Sequence, residues 1–445
     1  MSPSHRTILS TIALALAPAF VTCTSDTGPS SPDAPADPPS VTVDFDFGEA
    51  PLAGTLRLLP AEQSAGWRFR VETFPSGTLE REGPLDGLVA IPYRFEVPGV
   101  HIIRIELAGS EGDVVVQKTI VVIDPESDFE ILAQRPIEEI WPEGENESPE
   151  GIVMDPAGRW LYAAQYRSGE LVRIDPETLE VMGRVVLGPQ LEGLAVDPTG
   201  DRLFGIHKNA GLSVVDLASL TSVHLDGFSG YYIELTGASQ ALFGGNGQLG
   251  RVNLDTREIH WTSLAAGHFA VFPGGDRFVS LVYSSSSGIP EYSSLEILSL
   301  PGLEPLLSIP LEDLVDAVHV AVDPAGDLIY ALGQRDSGVR FLAFDAATGE
   351  VVTSMSVAGS RCGSYCVANP VVTFASGRYI AFERGGAVIV VDTGLDLPRY
   401  RFDPGGYGEL DVLTPPAGVA AHPDSDVLYV LGPAGRLFKI RPRNP

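Results

Sequence analysis

Basic side chains are scarce in this sequence. Its 445 residues include 29 Lys and Arg against 58 Asp and Glu, which leaves a formal net charge of −29 at pH 7. Lysine occurs only at Lys118, Lys208 and Lys439. A protein this acidic is repelled by phosphate backbones and by anionic lipid headgroups. The composition therefore excludes a nucleic-acid-binding protein, and we expect no nucleic-acid partner.

Cysteines and long apolar segments are also rare. The 3 cysteines are Cys23, Cys362 and Cys366, too few for a disulfide framework or a four-cysteine zinc site. Cys362 and Cys366 are close in the chain, so we expect a local disulfide in an oxidising compartment, with a redox or metal pair as the alternative. The one long apolar run, residues 8–21, is shorter than the roughly 20 residues that span a bilayer, so we expect no transmembrane helix.

The apolar run is typical of a secretory signal, because it follows His5 and Arg6. Phe20-Val21-Thr22 before Cys23 resembles a lipobox, and residues 24–40 have the Ser/Pro/Asp-rich composition of an extended tether. We therefore expect a lipoprotein-type signal peptide at 1–22, lipidation of Cys23, a tether over 23–40, and a membrane-anchored protein facing the periplasm or the cell surface. The alternative is cleavage at Ala17-Pro18-Ala19, which yields a soluble periplasmic or secreted protein.

Residues 41–124 predict a separate unit of β-strands. Segments 41–47, 67–71 and 101–107 alternate apolar and polar residues, as strands with one buried face do. The aromatic, Pro-Gly and alternating pattern of residues 93–123 resembles the C-terminal half of a PKD or related immunoglobulin-like domain. We expect an immunoglobulin-like β-sandwich that acts as a spacer, with Trp67 and Tyr93 in its core; a carbohydrate platform is the alternative role for these two rings.

One short pattern recurs along the rest of the chain. The octapeptide Asp-Pro-Ala-Gly-Arg-Trp-Leu-Tyr begins at Asp155, and related segments begin at Asp197, Thr236, Phe272, Asp323, Phe374 and His422. Their mean spacing of about 45 residues matches the four-stranded blade of a propeller. A single blade exposes an apolar face, which a ring of blades buries. The sequence therefore predicts an all-β protein whose residues 128–445 form a seven-bladed β-propeller.

The ends of the repeat region predict how the ring closes. The last copy is one strand short, whereas residues 137–141 precede the first copy as an unmatched strand. We therefore predict that strand 137–141 completes the last blade. A second repeated turn predicts Asp and Thr side chains that bond their own backbone; it begins at Asp175, Asp216, Asp255, Asp345 and Asp392.

The Asp-Pro-x-Gly-x-x-Leu-Tyr turn and the Ile-Asp-x-x-Thr-x-x-Val hairpin together resemble the YVTN-type repeat propellers of exported bacterial proteins. The resemblance spans about 300 residues and implies the fold. It implies little about chemistry, because the repeated residues are turn formers and propellers host many unrelated functions.

The candidate site is the mouth of the central channel, which is lined by residues at the start of each inner strand. These are Glu150, Glu192, Tyr231, Gly267, Val318, Asn369 and Ala417, with His268 and His319 one residue later. Oxygen atoms of Glu150, Glu192 and Asn369 suit calcium, or a transition metal if the histidines join them. The Glu-Gly steps at 150–151 and 192–193 resemble the metal-binding element of gluconolactonase and regucalcin-like propellers. The alternative is that these polar residues are only solvated.

Aromatic residues at the mouth suggest a face ligand. Tyr231 and Tyr232 follow Phe228, and this cluster would either bind a sugar or a peptide or pack between blades. His268 and His319 are candidates for the same face, although plain inner-strand positions explain them as well.

Familiar catalytic motifs are missing, including the nucleophile elbow, His-Glu-x-x-His, the P-loop and the dinucleotide fingerprint. We therefore assign no catalytic residues and expect a monomeric binding or scaffold protein of the cell envelope, without a cofactor, that binds an envelope protein or a small ligand at a propeller face. The alternative is a metal-dependent, lactonase-like hydrolase with a cation such as calcium in the channel.

Overall fold

A computed structural model gives the fold of the chain. It describes residues 39–43, 47–49, 51–59, 67–74, 81–95, 99–109, 112–123, 129–141, 149–209, 211–227, 230–237, 239–245, 248–262, 266–284, 291–311, 316–335, 338–357, 372–374, 379–384, 387–392, 397–402, 418–431 and 436–443. Strands dominate these residues, and their single helix is four residues long. The predicted all-β class is confirmed. Within the described ranges, no helix is both long and apolar enough to cross a membrane.

The N-terminal unit contains two sheets. Its strands are β1 (Ser40–Val43), β2 (Phe47–Glu49), β3 (Leu52–Leu59), β4 (Arg68–Phe74), β5 (Arg81–Pro84), β6 (Val89–Phe95), β7 (Gly99–Gly109) and β8 (Gly112–Ile123). One sheet has the order β1-β3-β6 and the other β2-β8-β7-β4-β5. Leu56 and Ile91 of the first sheet share a core with Val71 and Ile105 of the second. The unit is therefore a β-sandwich.

Trp67 and Tyr93 both lie in the core of this sandwich, 7% and 4% exposed. A Cβ atom on Gly54, which pairs with Tyr93 across β3 and β6, would lie 2.4 Å from the Tyr93 hydroxyl. The Tyr93 ring can therefore lie over the Gly54 backbone only because glycine has no side chain there. The carbohydrate-platform alternative is wrong for these two rings because neither is available to a ligand.

Seven four-stranded antiparallel sheets make up the remainder of the described chain, apart from a short helix, α1 (Ile137–Ile140). Strand β9 (Phe129–Pro136) precedes them. Sheet 1 has β10 (Pro149–Met154), β11 (Leu161–Gln165), β12 (Glu170–Ile174) and β13 (Val181–Val186); sheet 2 has β14 (Leu191–Val196), β15 (Arg202–His207), β16 (Gly211–Asp216) and β17 (Thr221–Leu225); sheet 3 has β18 (Tyr232–Gly237), β19 (Gln240–Gly245), β20 (Gln248–Asn253) and β21 (Ile259–Trp261).

Sheet 4 has β22 (Ala266–Val271), β23 (Arg277–Ser284), β24 (Glu291–Ser299) and β25 (Pro305–Pro310); sheet 5 has β26 (Asp316–Val322), β27 (Leu328–Arg335), β28 (Gly338–Asp345) and β29 (Val351–Val357). Sheet 6 has β30 (Val372–Phe374), β31 (Tyr379–Arg384), β32 (Ala387–Asp392) and β33 (Leu397–Phe402); sheet 7 has β34 (Gly418–Ala421), β35 (Leu428–Leu431) and β36 (Arg436–Pro442), completed by β9. The first strand of each sheet contacts the first strand of the next, and β34 contacts β10, so these strands form a closed inner ring.

The repeated aspartates are turn formers. Asp155 Oδ1 accepts the amide N–H of Arg159 at 2.7 Å, and Gly158 adopts a φ of +68° that favours glycine. In the second repeated turn, Asp175 Oδ1 accepts the amides of Glu177 and Thr178 at 2.8 and 2.9 Å. These backbone hydrogen bonds, that of Thr178 first, lower the pKa of Asp175. The repeat thus specifies hairpins rather than a catalytic group.

The prediction of strand 137–141 is wrong. Residues 137–140 form α1, and the strand that pairs with β36 is β9, residues 129–136. Ile137, Ile140 and Trp141 have the i, i+3, i+4 spacing of a helical face, and Ile140 and Trp141 are buried between sheets 7 and 1. A strand that precedes sheet 1 does complete the last sheet, but the predicted residues follow the observed strand in the sequence.

Side-chain hydrogen bonds also join β9 to β36. Arg441 donates to Glu130, and Arg436 donates to Gln134. Between sheets 7 and 1, Lys439 Nζ lies 2.7 Å from Glu177 Oε2, and the Tyr429 hydroxyl donates to the carbonyl of Pro176 at 3.2 Å. The first and last sheets are thereby held together at the seam of the ring.

Candidate functional site

Because consecutive strands run in opposite directions, the loops lie at two opposite faces of the ring, which we call the upper and the lower face. Inner strands begin at the upper face, where second strands also turn into third strands. They end at the lower face, which carries the turns at Asp155 and Asp175. Glu150, Glu192 and Tyr231, which were predicted at the channel mouth, belong to the upper face, and the described repeated turns belong to the lower face. The predicted mouth residues and the turn-forming residues are therefore at opposite ends of the strands.

Inner strands are irregular where they begin. The register shifts at Glu150 in β10, at Glu192 in β14 and at Val318 in β26, and β22 has two residues, Gly267 and His268, at the corresponding shift. Such β-bulges redirect side chains and are common beside binding sites. Four of the predicted mouth positions therefore coincide with a departure from regular pairing.

Glu192 and Tyr231, which were predicted at the mouth, both lie near Lys208, which the sequence analysis did not select. Lys208 Nζ lies 3.7 Å from Glu192 Oε1 and 5.1 Å from the centre of the Tyr231 ring. Partial desolvation disfavours the ammonium, but Tyr231, Glu192 and Tyr166 together raise the pKa of Lys208. We call Tyr166, Glu192, Lys208 and Tyr231 the mouth cluster; its members come from sheet 1, sheet 2 and the start of sheet 3.

The loop that supports the mouth cluster has an unusual backbone. Gln190 has a φ of +60°, and its carbonyl accepts the amide N–H of Lys208 at 2.9 Å. A non-glycine residue in this conformation is strained, and such strain is concentrated at functional sites. Sequence analysis did not select Lys208; the scarcity of lysine was the one signal that could have drawn attention to it, since only one other lysine lies in the ring.

His268 and His319 lie side by side below the mouth. Their ring centres are 4.5 Å apart with an interplanar angle of 76°, and Tyr232 packs against His268 at 4.6 Å. These three rings come from the inner strands of sheets 3, 4 and 5. His268 is 7% exposed and His319 1% exposed. The two predicted histidines are therefore in contact, inside the wall of the ring rather than on its surface.

Burial determines the charge of this pair. Desolvation lowers the pKa of His268 to about 4, and desolvation together with the neighbouring His268 lowers the pKa of His319 well below its usual value. Both imidazoles are thus neutral at pH 7. Among the residues that the structure describes, His268 Nδ1 and both ring nitrogens of His319 have no hydrogen-bond partner. We call His268 and His319 the imidazole pair.

Glu234 is a further group that the sequence analysis missed. Its Oε2 accepts the amide N–H of Val271 at 2.7 Å, which links the inner strands of sheets 3 and 4. Desolvation raises the pKa of Glu234 to about 7, against a smaller lowering by that hydrogen bond. No motif marks this residue; only its place on an inner strand could have suggested burial.

A serine–histidine contact in sheet 2 is structural. His207 Nε2 lies 2.9 Å from Ser213 Oγ, and His207 Nδ1 lies 2.8 Å from the carbonyl of Pro189. Ser213 is 1% exposed and His207 is fully buried. A substrate cannot reach this hydroxyl, so the contact ties β15 to β16 and does not provide a nucleophile.

The structure describes only some of the predicted metal ligands. Glu150 lies in β10, but its side chain is not among those described, and Glu192 is paired with Lys208. Within the described ranges, no three His, Cys, Asp or Glu side chains are grouped to hold a metal ion. Other residues selected in the sequence analysis lie outside these ranges, namely Cys23, Phe228, Cys362, Cys366, Asn369 and Ala417. The calcium site, the lipidation and the disulfide stay predictions.

Known proteins resemble this chain in fold. No protein-family model matches it, and no curated protein matches it. Kuenenia stuttgartiensis hydrazine synthase is similar over 66% of this chain and 95% of its own, with 17% identity and a TM-score of 0.55. The Cps50 (Swd1) β-propeller domain of Myceliophteria thermophila is similar over 70% of this chain and 99% of its own, with 14% identity and a TM-score of 0.52. The chain is a β-propeller protein; identities this low show the fold alone.

Proposed function

We propose that this protein is an exported, lipid-anchored scaffold of the cell envelope that binds a partner protein at the upper face of its propeller. In this proposal the seven sheets are the blades of a YVTN-type propeller, residues 41–124 are a PKD-like spacer, and residues 23–40 tether both to an acylated Cys23. Cys362 and Cys366 form a local disulfide. The scaffold acts by presentation, without catalysis.

The mouth cluster is the observation that carries this proposal. Tyr166, Lys208 and Tyr231 bring two aromatic rings and a cation to one point on a rigid ring. Tyrosine is enriched in protein interfaces because it offers apolar area and a hydrogen-bonding tip at low cost in conformational entropy. The Lys208 ammonium and the Glu192 carboxylate, 3.7 Å apart, form a charge pair at this point, and such a pair can orient an approaching partner.

Site-specific crosslinking in living cells tests the binding face. Asn209 is exposed beside Lys208, and Ala347 is exposed on a lower-face turn, so each is replaced in turn by p-benzoylphenylalanine in the full-length protein. We expect a discrete crosslinked protein from position 209 that is absent from position 347 and is lost when Lys208→Met is added. Equal crosslinking from both positions, or no effect of Lys208→Met, would contradict the proposal.

Metabolic labelling tests the anchor separately. Palmitate should label the wild-type protein but not Cys23→Ser, and the variant should move from the membrane fraction to the soluble fraction. Cys362→Ser is the matched control and should remain labelled. An unlabelled wild type would remove the lipid anchor from the proposal and leave the binding face untouched.

A further inference from the structure

Each of the seven sheets ends in an outer strand that pairs on one side only. These strands are β13, β17, β21, β25, β29, β33 and β9, and the sheet orders give none of them a second hydrogen-bonded strand among the described residues. Such an edge offers backbone N–H and C=O groups to a strand of another chain. Proteins therefore protect their edges with charged residues, proline or a bulge, or keep the edge strand short.

Six of the seven outer strands are protected by their sequence or their length. Charged residues occur in β13, β33 and β9, at Arg184, Arg399, Arg401, Glu130 and Arg135. Prolines stand at both ends of β25, and β17 and β21 are only five and three residues long. Strand β29, Val351–Val357, has seven residues, and none of them is charged, proline or glycine. It is therefore the least protected edge of the ring.

Strand β29 is also exposed and mostly regular. Val351 and Val352 are 56% and 57% exposed, and Ser354 is exposed as well. The pairing with β28 shifts at Val352, but from Thr353 to Val357 it is regular. The shift does not distinguish β29, because β13, β25 and β33 have one at the corresponding place. A regular stretch of uncharged backbone is thus left without a partner strand among the described residues.

Charge indicates which strand this edge fits. Two copies of a chain with a net charge of −29 repel each other wherever their charged surfaces meet. At β29 no like charges would face each other, since every residue of the strand is uncharged. An antiparallel pair of two copies with full overlap places Ser354 opposite Ser354 and Val351 opposite Val357. The edge is therefore complementary to itself.

Charged residues near β29 do not oppose this pairing. Arg340 of β28 donates from its Nε to Ser354 Oγ at 3.0 Å. Neighbouring strands lie about 4.8 Å apart, so the two Arg340 side chains would start from strands about 14 Å apart, beyond the screening length of about 8 Å. Glu350, which precedes β29, would lie about 27 Å along the strand from its copy.

We propose that two copies of this chain associate through an antiparallel pair of β29 strands about a two-fold axis, which joins their fifth sheets into one continuous sheet. This differs from the monomer that the sequence leads us to expect. The interface is smaller than the roughly 1,200 Å² of a stable complex, so we expect a weak dimer with a Kd of roughly 10 to 100 µM. Strand β29 belongs to sheet 5 and the mouth cluster to sheets 1 to 3, so the dimer does not depend on the scaffold function.

Sedimentation equilibrium of the purified full-length protein tests the dimer. We expect a monomer–dimer equilibrium whose Kd falls about threefold or more when NaCl is raised from about 0.05 to about 0.5 M, because salt screens the repulsion between two acidic chains. Ser354→Glu should raise the Kd about fivefold, since it sets two carboxylates opposite each other. Leu306→Glu is the matched control: it adds the same charge to β25 at a side chain that is 58% exposed, and it should leave the Kd unchanged.

A mixture of two variants tests the pairing itself. Ser354→Glu and Ser354→Lys should each associate more weakly than the wild type, whereas their equimolar mixture should recover the association, because opposite charges then face each other. Three results would overturn the proposal. They are a wild type that stays monomeric well above the expected Kd, a dimer that Ser354→Glu leaves intact, and a dimer that Leu306→Glu weakens equally.

Hydrogen exchange of the wild type decides the question if a variant does not fold. Amides of β29 should exchange more slowly as the protein concentration rises through the Kd, whereas amides of β25 should not change. Exchange from β29 that does not depend on concentration would contradict the dimer. If that exchange is also slow in a monomeric protein, another part of this chain covers the edge and the proposal is wrong.

Discussion

The position four residues before each repeat is occupied by glycine on one side of the inner ring and by a cyclic side chain on the other. Gly418, Gly151 and Gly193 occupy it in sheets 7, 1 and 2, which we call the glycine arc, and Tyr232, His268 and His319 occupy it in sheets 3, 4 and 5, the ring arc. In the glycine arc adjacent inner strands approach closely: a Cβ on Gly418 would lie 2.8 Å from Ile152 Cγ2. In the ring arc the space is filled by three rings in contact, and three nitrogens of the two imidazoles have no hydrogen-bond partner among the described residues.

The difference separates what specifies the fold from what carries chemistry. The glycine arc lets one strand pack on the next and leaves no functional group at that position. The ring arc places buried imidazoles where a glycine would suffice, at a cost in unpaired nitrogens. Departures from the local rules of a fold are concentrated at functional sites, so the ring arc and the adjoining mouth cluster are where this protein's chemistry should be sought.

The largest effect should come from adding a methyl group to the glycine arc. A Cβ on Gly193 would lie 2.8 Å from the Tyr231 carbonyl oxygen, whereas one on Gly151 has nothing nearer than 3.8 Å. We expect Gly193→Ala to lower the free energy of unfolding by about 3 kcal/mol and Gly151→Ala to change it by less than about 0.5 kcal/mol. Chemical denaturation measures both; equal losses would show that the two positions are not distinguished by packing.

A similar effect, but only at high pH, should come from Glu234, beside the ring arc. Its folded-state pKa of about 7 exceeds the usual 4.5, so its contribution is fully present below pH 4.5 and is lost as the pH rises through 7. Glu234→Gln, which keeps the neutral form, should therefore be more stable than the wild type by about 3 kcal/mol at pH 8 and equal to it at pH 4.

Unfolding curves at both pH values measure this difference. Glu258→Gln, on an exposed turn of the same sheet, is the control and should match the wild type throughout. A stability difference for Glu234→Gln that is the same at pH 4 and pH 8 would mean that the carboxyl does not titrate as its burial implies.

The smallest effect should come from removing one imidazole. At pH 7, His319→Leu should raise the free energy of unfolding by about 1 kcal/mol, because an apolar side chain replaces two buried nitrogens that have no hydrogen-bond partner among the described residues. The gain should grow as the pH falls below 6.5, since the unfolded chain then binds a proton that the folded His319 resists. Thermal denaturation at pH 5 and pH 7 checks this; a loss of stability at both would show that the imidazole is well satisfied in the folded protein.

Most of the fold could be predicted from the sequence because its signals are local. The turn at Asp155 needs only its own amides, and the same chemistry recurs in each copy, so the hairpins and their number follow from the repeat. The closing strand could not be placed this way. Its pairing depends on β36 at the other end of the chain, and the apolar residues of 137–141 are spaced for a helix as well as for a strand.

Candidates for the site could be predicted from the sequence, but their contacts could not. Glu192, Tyr231 and the two histidines were selected because they stand at or beside the start of an inner strand, and their binding role stays a prediction. Lys208 and Glu234 were missed because no local sequence motif marks them. Lys208 contacts Glu192 and Tyr231, and Glu234 accepts a hydrogen bond from the Val271 amide on the neighbouring inner strand. Such roles arise from packing between sheets, which a repeat pattern does not encode.

The closing strand also sets the order of events in folding. Glu130 and its partner Arg441 are separated by 311 positions, so their contact belongs to the slowest class of chain encounter. Sheets 1 to 6 have all of their strands before the last segment is synthesised, but sheet 7 must wait for the C-terminus, with the edge of β9 unpaired until then. We therefore expect the ring to close last during folding, and until then the unpaired edge of β9 could pair with another chain.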